Sequence, residues 1–217
     1  MKHIAIILSG CGVFDGAEIH EAVLTLLHVE LQGGKYQCFA PNIAQMHVIN
    51  HRTGEVAENE SRNVLTEAAR ITRGEIKDLA ELDANDFDAL ILPGGFGAAK
   101  NLSDFAVTGA ECRLNDDVKS ACKAFANAGK AVGYICISPA LIPKIYQQGT
   151  KLTIGNDEDT ASAINSMGGE HVNCPVDEFI VDERHKVVST PAYMLAGSIT
   201  QANAGISKLV KKVFELS

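Results

Sequence analysis

The sequence predicts an α/β three-layer sandwich, with a mostly parallel central sheet and helices on both faces. Three observations lead there. Short apolar runs alternate with amphipathic segments along the 217 residues, as strands do when helices carry the crossovers between them. The runs at 3–9, 87–92 and 130–135 are almost uninterruptedly apolar, as strands covered on both faces are. Each ends abruptly in a corner, at Ser9-Gly10-Cys11-Gly12, at Pro93-Gly94-Gly95-Phe96-Gly97 and at Cys136. In open α/β sheets, ligands collect outside those carboxyl ends.

The elements follow in order. After the strand at 3–9, residues 17–31 predict a helix that stops at Gly33-Gly34, glycine being the usual residue past a helix end. Residues 36–40 form a second strand, stopped by Pro41, and 41–59 carry turn signals around Thr53-Gly54. A helix over 62–71 ends near Gly74, and the strand at 87–92 runs into Pro93. A helix over 116–128 closes at Gly129, the strand at 130–135 leads into Cys136, and a helix is expected over 138–146. A strand at 151–154 and a helix over 157–167 come next. Residues 179–181 and 186–189 flank Asp182-Glu183-Arg184-His185 as a hairpin, and 196–216 is the last helix. No linker or repeat interrupts the series, so one domain over 1–217 is expected.

Composition removes several function classes. At 46% hydrophobic and 21% charged, the chain has the balance of a globular protein with one sizeable core. A net charge of −8 without a basic stripe argues against a nucleic-acid partner. No apolar stretch approaches the ~20 residues of a membrane helix, and the opening segment is too short for a signal peptide. The expected location is therefore the cytoplasm, with no membrane partner. The six cysteines form no C-x-x-C pair, which is poor spacing for zinc and unlike a disulfide scaffold. His47 and His51 stand four apart, but in a turn context, and no metal site is expected.

Cys136 is the residue on which the chemistry turns. It sits between the end of a strand and Ser138-Pro139, a helix-start signal. Strand–turn–helix elbows of this kind present nucleophiles, and a helix N-terminus favours the thiolate. Gly94 and Gly95 let backbone N–H groups approach a bound atom, and with the N–H of Ile137 they are candidates for an oxyanion hole. Glu18 and Glu21 stand in the first turn of the first helix, where carboxylates commonly serve as caps. Either one, pointing across the strand ends, would give the thiol an acid/base partner. Helical spacing does not choose between them. Gly10-Cys11-Gly12-Val13-Phe14-Asp15-Gly16 approaches a dinucleotide fingerprint, yet the second strand ends in Ala40-Pro41-Asn42 without the acid that would hold a ribose. Glycines easing a tight turn explain that run better.

Together, a strand ending in Pro-Gly-Gly, an elbow Cys-x-small-Pro and a first-helix glutamate resemble the PfpI/ThiJ superfamily, of the flavodoxin-like, class I glutamine amidotransferase-like fold. Longer segments resemble its ElbB-type glyoxalase branch, among them Glu18-Ile19-His20-Glu21-Ala22, Ile49-Asn50-His51, Arg62-Asn63-Val64-Leu65 and residues 93–101. By this resemblance Cys136 is the reactive cysteine and Glu21, rather than Glu18, contacts it. The departures narrow the chemistry. PfpI-type peptidases carry a histidine directly after the cysteine, where this chain has Ile137. Amidotransferases carry a downstream His-x-Glu, and neither His171 nor His185 begins one. Without a histidine to activate the thiol, glutaminase and protease activities are not expected.

What the resemblance implies instead is a lyase-type glyoxalase that converts glyoxal to glycolate without glutathione, metal or other cofactor. A homodimer is implied on the same ground. The alternative is a redox sensor or stress chaperone-like protein that uses the same thiol.

Overall fold

The computed structural model describes all 217 residues. Along β1 (His3–Ile7), successive side chains point to opposite faces of the sheet. Ile4 and Ile6 enter one core and Ala5 and Ile7 the other, so an unbroken apolar run serves two layers at once. The chain continues through α1 (Ile19–Leu31), β2 (Lys35–Ala40), α2 (Val64–Ala68), β3 (Ile76–Asp78), β4 (Ala89–Leu92), α3 (Phe96–Lys100), α4 (Phe105–Thr108) and α5 (Asp116–Asn127). Then come β5 (Ala131–Ile135), β6 (Lys151–Leu152), α6 (Glu158–Ser166), β7 (Glu170–His171), β8 (Ile180–Asp182), β9 (Val187–Thr190) and α7 (Ile199–Leu216).

Seven strands form one sheet in the order β3-β2-β1-β4-β5-β9-β8, parallel except for β8 against β9. The predicted sandwich and its mostly parallel sheet are both present. Helices α1, α2 and α7 cover one face; α5 and α6 contribute to the core on the other. Gly133 of β5 lets α7 lie close. A Cβ there would come 2.9 Å from Leu209 and 3.1 Å from Val213. No helix is long and apolar enough to cross a membrane.

Several elements differ from expectation. The segment expected to be helical over 138–146 is a 3-10 stretch, Ser138–Lys144, with Pro143 inside it. Proline has no N–H to donate to an α-helical ladder. The strand expected at 151–154 shortens to β6, which pairs only with β7 outside the main sheet. Just beyond it, the Thr153 N–H turns to the Ser189 hydroxyl at 2.9 Å. The helix expected over 62–71 contracts to α2, capped by Asn63, whose Oδ1 accepts from the Thr66 N–H at 3.0 Å. The edge strand β3 and the short helices α3 and α4 were not legible.

The strand order sets the place of the site. From β1 the chain steps outward through β2 and β3, then returns to lay β4 on the other side of β1. The reversal opens a crevice between the carboxyl ends of β1 and β4, with β5 next to β4.

Candidate active site

The three corners meet at that crevice, and two of them interlock through their glycines. The Glu18 N–H donates to the Gly94 carbonyl at 3.0 Å, and the Gly97 N–H to the Gly16 carbonyl at 2.9 Å. Gly95 has φ +93°, and a Cβ on it would lie 2.4 Å from both the Glu18 nitrogen and the Gly16 oxygen. Asn101 locks the assembly. Its Nδ2 donates to the carbonyls of Ser9 and Asp15, each at 2.9 Å, while its Oδ1 accepts from the Met46 N–H at 3.0 Å. The first glycine run thus folds on itself, as a tight turn. The Phe14 N–H donates to the His51 Nε2 at 3.2 Å, and the His51 Nδ1 lies 3.0 Å from the Ile49 carbonyl. That histidine braces the turn.

Cys136 has φ +64°, a left-handed conformation that persists in a non-glycine residue only when its surroundings hold it, at ~1–3 kcal/mol. The hold is visible on both sides. Its N–H donates to the Thr190 carbonyl at 2.9 Å. The Ser138 hydroxyl accepts from the Ile135 N–H at 2.8 Å and faces the carbonyls of Leu92 and Ile135, each at 2.9 Å. Serine 138 therefore ties the elbow to the end of β4 rather than capping a helix.

Glu21 lies fully buried beneath the thiol. One carboxyl oxygen accepts from the Gly94 N–H at 3.0 Å, the other from the Tyr193 N–H at 3.1 Å, and the Cys136 side chain lies beside the same carboxyl. Burial pushes the Glu21 carboxyl up to about 8; the hydrogen bond from Tyr193 opposes the shift, and the charge of Glu18 adds to it. Glu18 is occupied differently. Its Oε2 accepts the Glu21 N–H at 2.7 Å, so it caps α1 and stands on the cavity rim.

Two expectations need correcting here. Gly94 cannot lend its N–H to an oxyanion, because Glu21 holds it. A Cβ at Gly94 would approach the Cys136 Cβ to 2.4 Å and Glu21 Oε2 to 2.7 Å, so this glycine makes room for the pair. The N–H groups of Gly95 and Ile137 are the ones that pull the thiol down, against the effect of burial. The second correction concerns the thiol itself. Burial, then the charge of Glu21, push the Cys136 thiol up, against the pull of the Gly95 N–H. A short 3-10 stretch supplies too little dipole to reverse this. A free thiolate at neutral pH is not what these surroundings favour.

The sulfur opens onto a cavity of about 420 Å³. Val13, Phe96, Ala99, Phe105, Ile137 and Met194 supply apolar wall; Glu18, Asp157, Thr160 and Tyr193 supply polar groups. No histidine lines it. The ring of His20, on the exposed side of α1, bonds the Tyr193 hydroxyl at 2.9 Å. His185 pairs with Asp182 at 3.1 Å in the turn before β9, and β9 runs parallel to β5, so this pair lies at the opposite end of the sheet from Cys136. Tyr193 is the contributor that sequence reasoning missed. Its only signal was Pro191-Ala192 closing another strand, a fourth corner at the same edge.

A buried cysteine on a strained elbow, beside a carboxyl at the switch point of a parallel sheet, defines an α/β protein with an amidotransferase-like fold. No protein-family model matches the chain, but individual relatives do. It is 48% identical over 223 residues to the human glutamine amidotransferase-like class 1 domain-containing protein 3, mitochondrial, covering 99% of this chain and 83% of that protein. The crystal structure of an isoprenoid biosynthesis protein with amidotransferase-like domain from Ehrlichia chaffeensis superposes with a TM-score of 0.93 at 37% identity, over 100% of this chain and 99% of the other. Glyoxalase III from Candida albicans superposes at 0.64 with 13% identity, over 99% and 97%, a likeness of fold alone. The chain belongs to the family of class 1 glutamine amidotransferase-like proteins. The human relative is named mitochondrial, so the comparison lends nothing to the cytoplasmic expectation.

Proposed function

We propose that this protein is a glutathione-independent, cofactor-free glyoxalase that converts glyoxal and water to glycolate, with Cys136 as nucleophile and Glu21 as proton carrier. The observation that carries the reading is the Cys136 side chain set against the buried Glu21 carboxyl, which burial pushes up to about 8. Such a pair titrates as a unit. Once it has lost one proton, the ionised Glu21 takes the proton from sulfur as the sulfur attacks, so that no free thiolate has to persist. The sulfur bonds one aldehyde carbon, and the proton passes through Glu21 to the former carbonyl oxygen. Glu21 next removes the C–H proton of that hemithioacetal carbon and returns it to the neighbouring carbon through an enediolate, while the hydroxyl proton passes to the neighbouring oxygen. The Gly95 and Ile137 N–H groups stabilise the developing oxyanion. Water cleaves the resulting glycolyl thioester, which frees glycolate and restores the thiol. Oxidation of one carbon is balanced by reduction of the other, so no redox partner enters.

A glyoxalase already occurs on this fold, although one fold hosts many chemistries and the site has to carry the argument. Glutaminase or protease chemistry lacks its histidine: none lines the cavity. A sensor cysteine works best as an exposed, acidic thiol, and Cys136 is neither. The proposal covers the whole chain as one domain, acting in a reducing compartment such as the cytoplasm, in keeping with six free cysteines. It includes a homodimer, for which α1 offers an exposed stripe of Ile19, Val23, Leu27 and Leu31.

The test is an activity panel of glyoxal, glutamine and a peptide, run on the wild type and on Cys136→Ser. Glycolate from glyoxal should form with the wild type alone. Equal conversion by Cys136→Ser, or hydrolysis of glutamine or peptide in place of glyoxal, would overturn the assignment.

A further inference from the structure

Resting on that reading, we infer that the substrates this site favours are uncharged 2-oxoaldehydes with a bulky apolar substituent, R–CO–CHO, rather than glyoxal itself. Glyoxal has four heavy atoms and places hydrogen where R would stand. The cavity beside Cys136 encloses about 420 Å³, within the range of pockets that accept much larger ligands. Its walls bear on what fills that space. Phe96 at the start of α3, Phe105 of α4 and Met194, from the turn after β9, line it together with Val13 and Ile137. These residues come from four separate corners of the fold, and no step of the proton-transfer chemistry uses their side chains.

The charges point the same way. Glu18 and Asp157 line the cavity, and no lysine or arginine does, so a carboxylate or phosphate on the substrate would meet like charge with no cation to pair it. A neutral apolar R group takes contact from the walls and no repulsion from the rim.

The chemistry extends to R without a new reactant. The sulfur adds to the aldehyde carbon, giving R–CO–CH(OH)–S. The C–H proton moves to the ketone carbon and the hydroxyl proton to the ketone oxygen, giving the thioester R–CH(OH)–CO–S. Water releases R–CH(OH)–COOH and the thiol. Throughout, R stays on the carbon remote from sulfur and reaches outward into the cavity.

The experiment compares kcat/KM for glyoxal, methylglyoxal and phenylglyoxal, each divided by its rate of addition to a small free thiol, which removes intrinsic reactivity. After that correction phenylglyoxal should exceed glyoxal by at least about tenfold, the discrimination a small apolar group commonly gains in an apolar pocket. Phe105→Asn should shrink the ratio. In parallel, N-benzyl iodoacetamide and iodoacetamide are reacted with Cys136 and with the free thiol, and the benzyl reagent should show the larger enhancement at Cys136. Glyoxal matching or exceeding phenylglyoxal would overturn this inference and leave the glyoxalase assignment standing. Should none of the three turn over, the glyoxalase assignment falls, and the alkylation ratio alone decides whether the cavity selects apolar groups. Equal enhancement of the two reagents would overturn that as well.

Discussion

In the proposed mechanism Glu21 and Cys136 share a proton, and their individual roles separate by substitution. Cys136→Ser removes the only group able to form the thioester, and an unassisted hydroxyl is a far weaker nucleophile. Glyoxal conversion should fall to background. Glu21→Gln cannot cycle protons, so turnover should drop by ~10²–10⁴-fold, the usual weight of general acid–base catalysis. Mass spectrometry of that variant after exposure to glyoxal should find an adduct at Cys136 that is not released. Full activity would reduce Glu21 to a structural partner. The wild-type pH profile has a definite sign. Because the reactive form must lose a proton from a pair whose carboxyl sits at about 8, kcat/KM should rise toward pH 8 and decline about tenfold per unit below it. A profile flat from pH 6 to 8 would mean that the pair is already ionised. Cys136 itself was legible from its elbow, whereas the state of its thiol was not. Sequence shows the turn but not the burial, and burial outweighs the local N–H groups.

At the scale of elements, Ser138 and α1 carry separate expectations. Ser138→Ala leaves the buried Ile135 N–H without its acceptor, which costs ~1–3 kcal/mol, and it loosens the strained turn at Cys136. Urea unfolding should show that loss, and an unchanged midpoint would mean that the elbow is held by Thr190 alone. On α1, the side chains of Ile19, Val23, Leu27 and Leu31 recur every four residues on one face, and each is 44–66% exposed. A two-fold axis across such a self-complementary stripe buries it against its own copy. Leu27→Glu should then convert a dimer into a folded monomer in light scattering, and a wild type that is already monomeric would end the homodimer proposal. Strands were the most legible elements, because β1, β4 and β5 are buried on both faces and read as unbroken apolar runs. The 3-10 stretch after Cys136 and the detached β6 depend on tertiary partners, Pro143 aside, and left little trace in the sequence. Glu18 and Glu21 could not be separated by helical spacing, since both lie in one turn; only the resemblance favoured Glu21. What divides them is the cap geometry, which turns Glu18 back onto the Glu21 N–H.

The switch point of the sheet joins residue chemistry to the stability of the whole molecule. The turns after β4 and β9 each donate an N–H to Glu21, and the elbow after β5 sets Cys136 beside it, so the fold cannot form without burying that carboxyl. Its folded pKa is about 8, against an ordinary 4.5. The folded protein therefore holds this proton more tightly than the unfolded chain does, and the sign of the linkage follows. The stabilisation from the proton is fully present below pH ~4.5 and is lost as the pH rises through about 8. At ~1.4 kcal/mol per unit, the span amounts to roughly 5 kcal/mol, a large share of the ~5–15 kcal/mol typical of a folded domain. Above pH 9 the raised Cys136 thiol extends the decline. Other groups titrate over the same range, so the informative quantity is the difference between the wild type and Glu21→Gln. At pH 5 the variant should be the less stable, because its amide offers one acceptor oxygen where the carboxyl serves both Gly94 and Tyr193. Between pH 5 and 8.5 the gap should close and then reverse, as the wild type alone pays for ionising a buried carboxyl. Urea unfolding of both proteins at four or five pH values measures it. Two curves that stay parallel would show that Glu21 is ionised throughout, and would take the proton carrier out of the proposed mechanism.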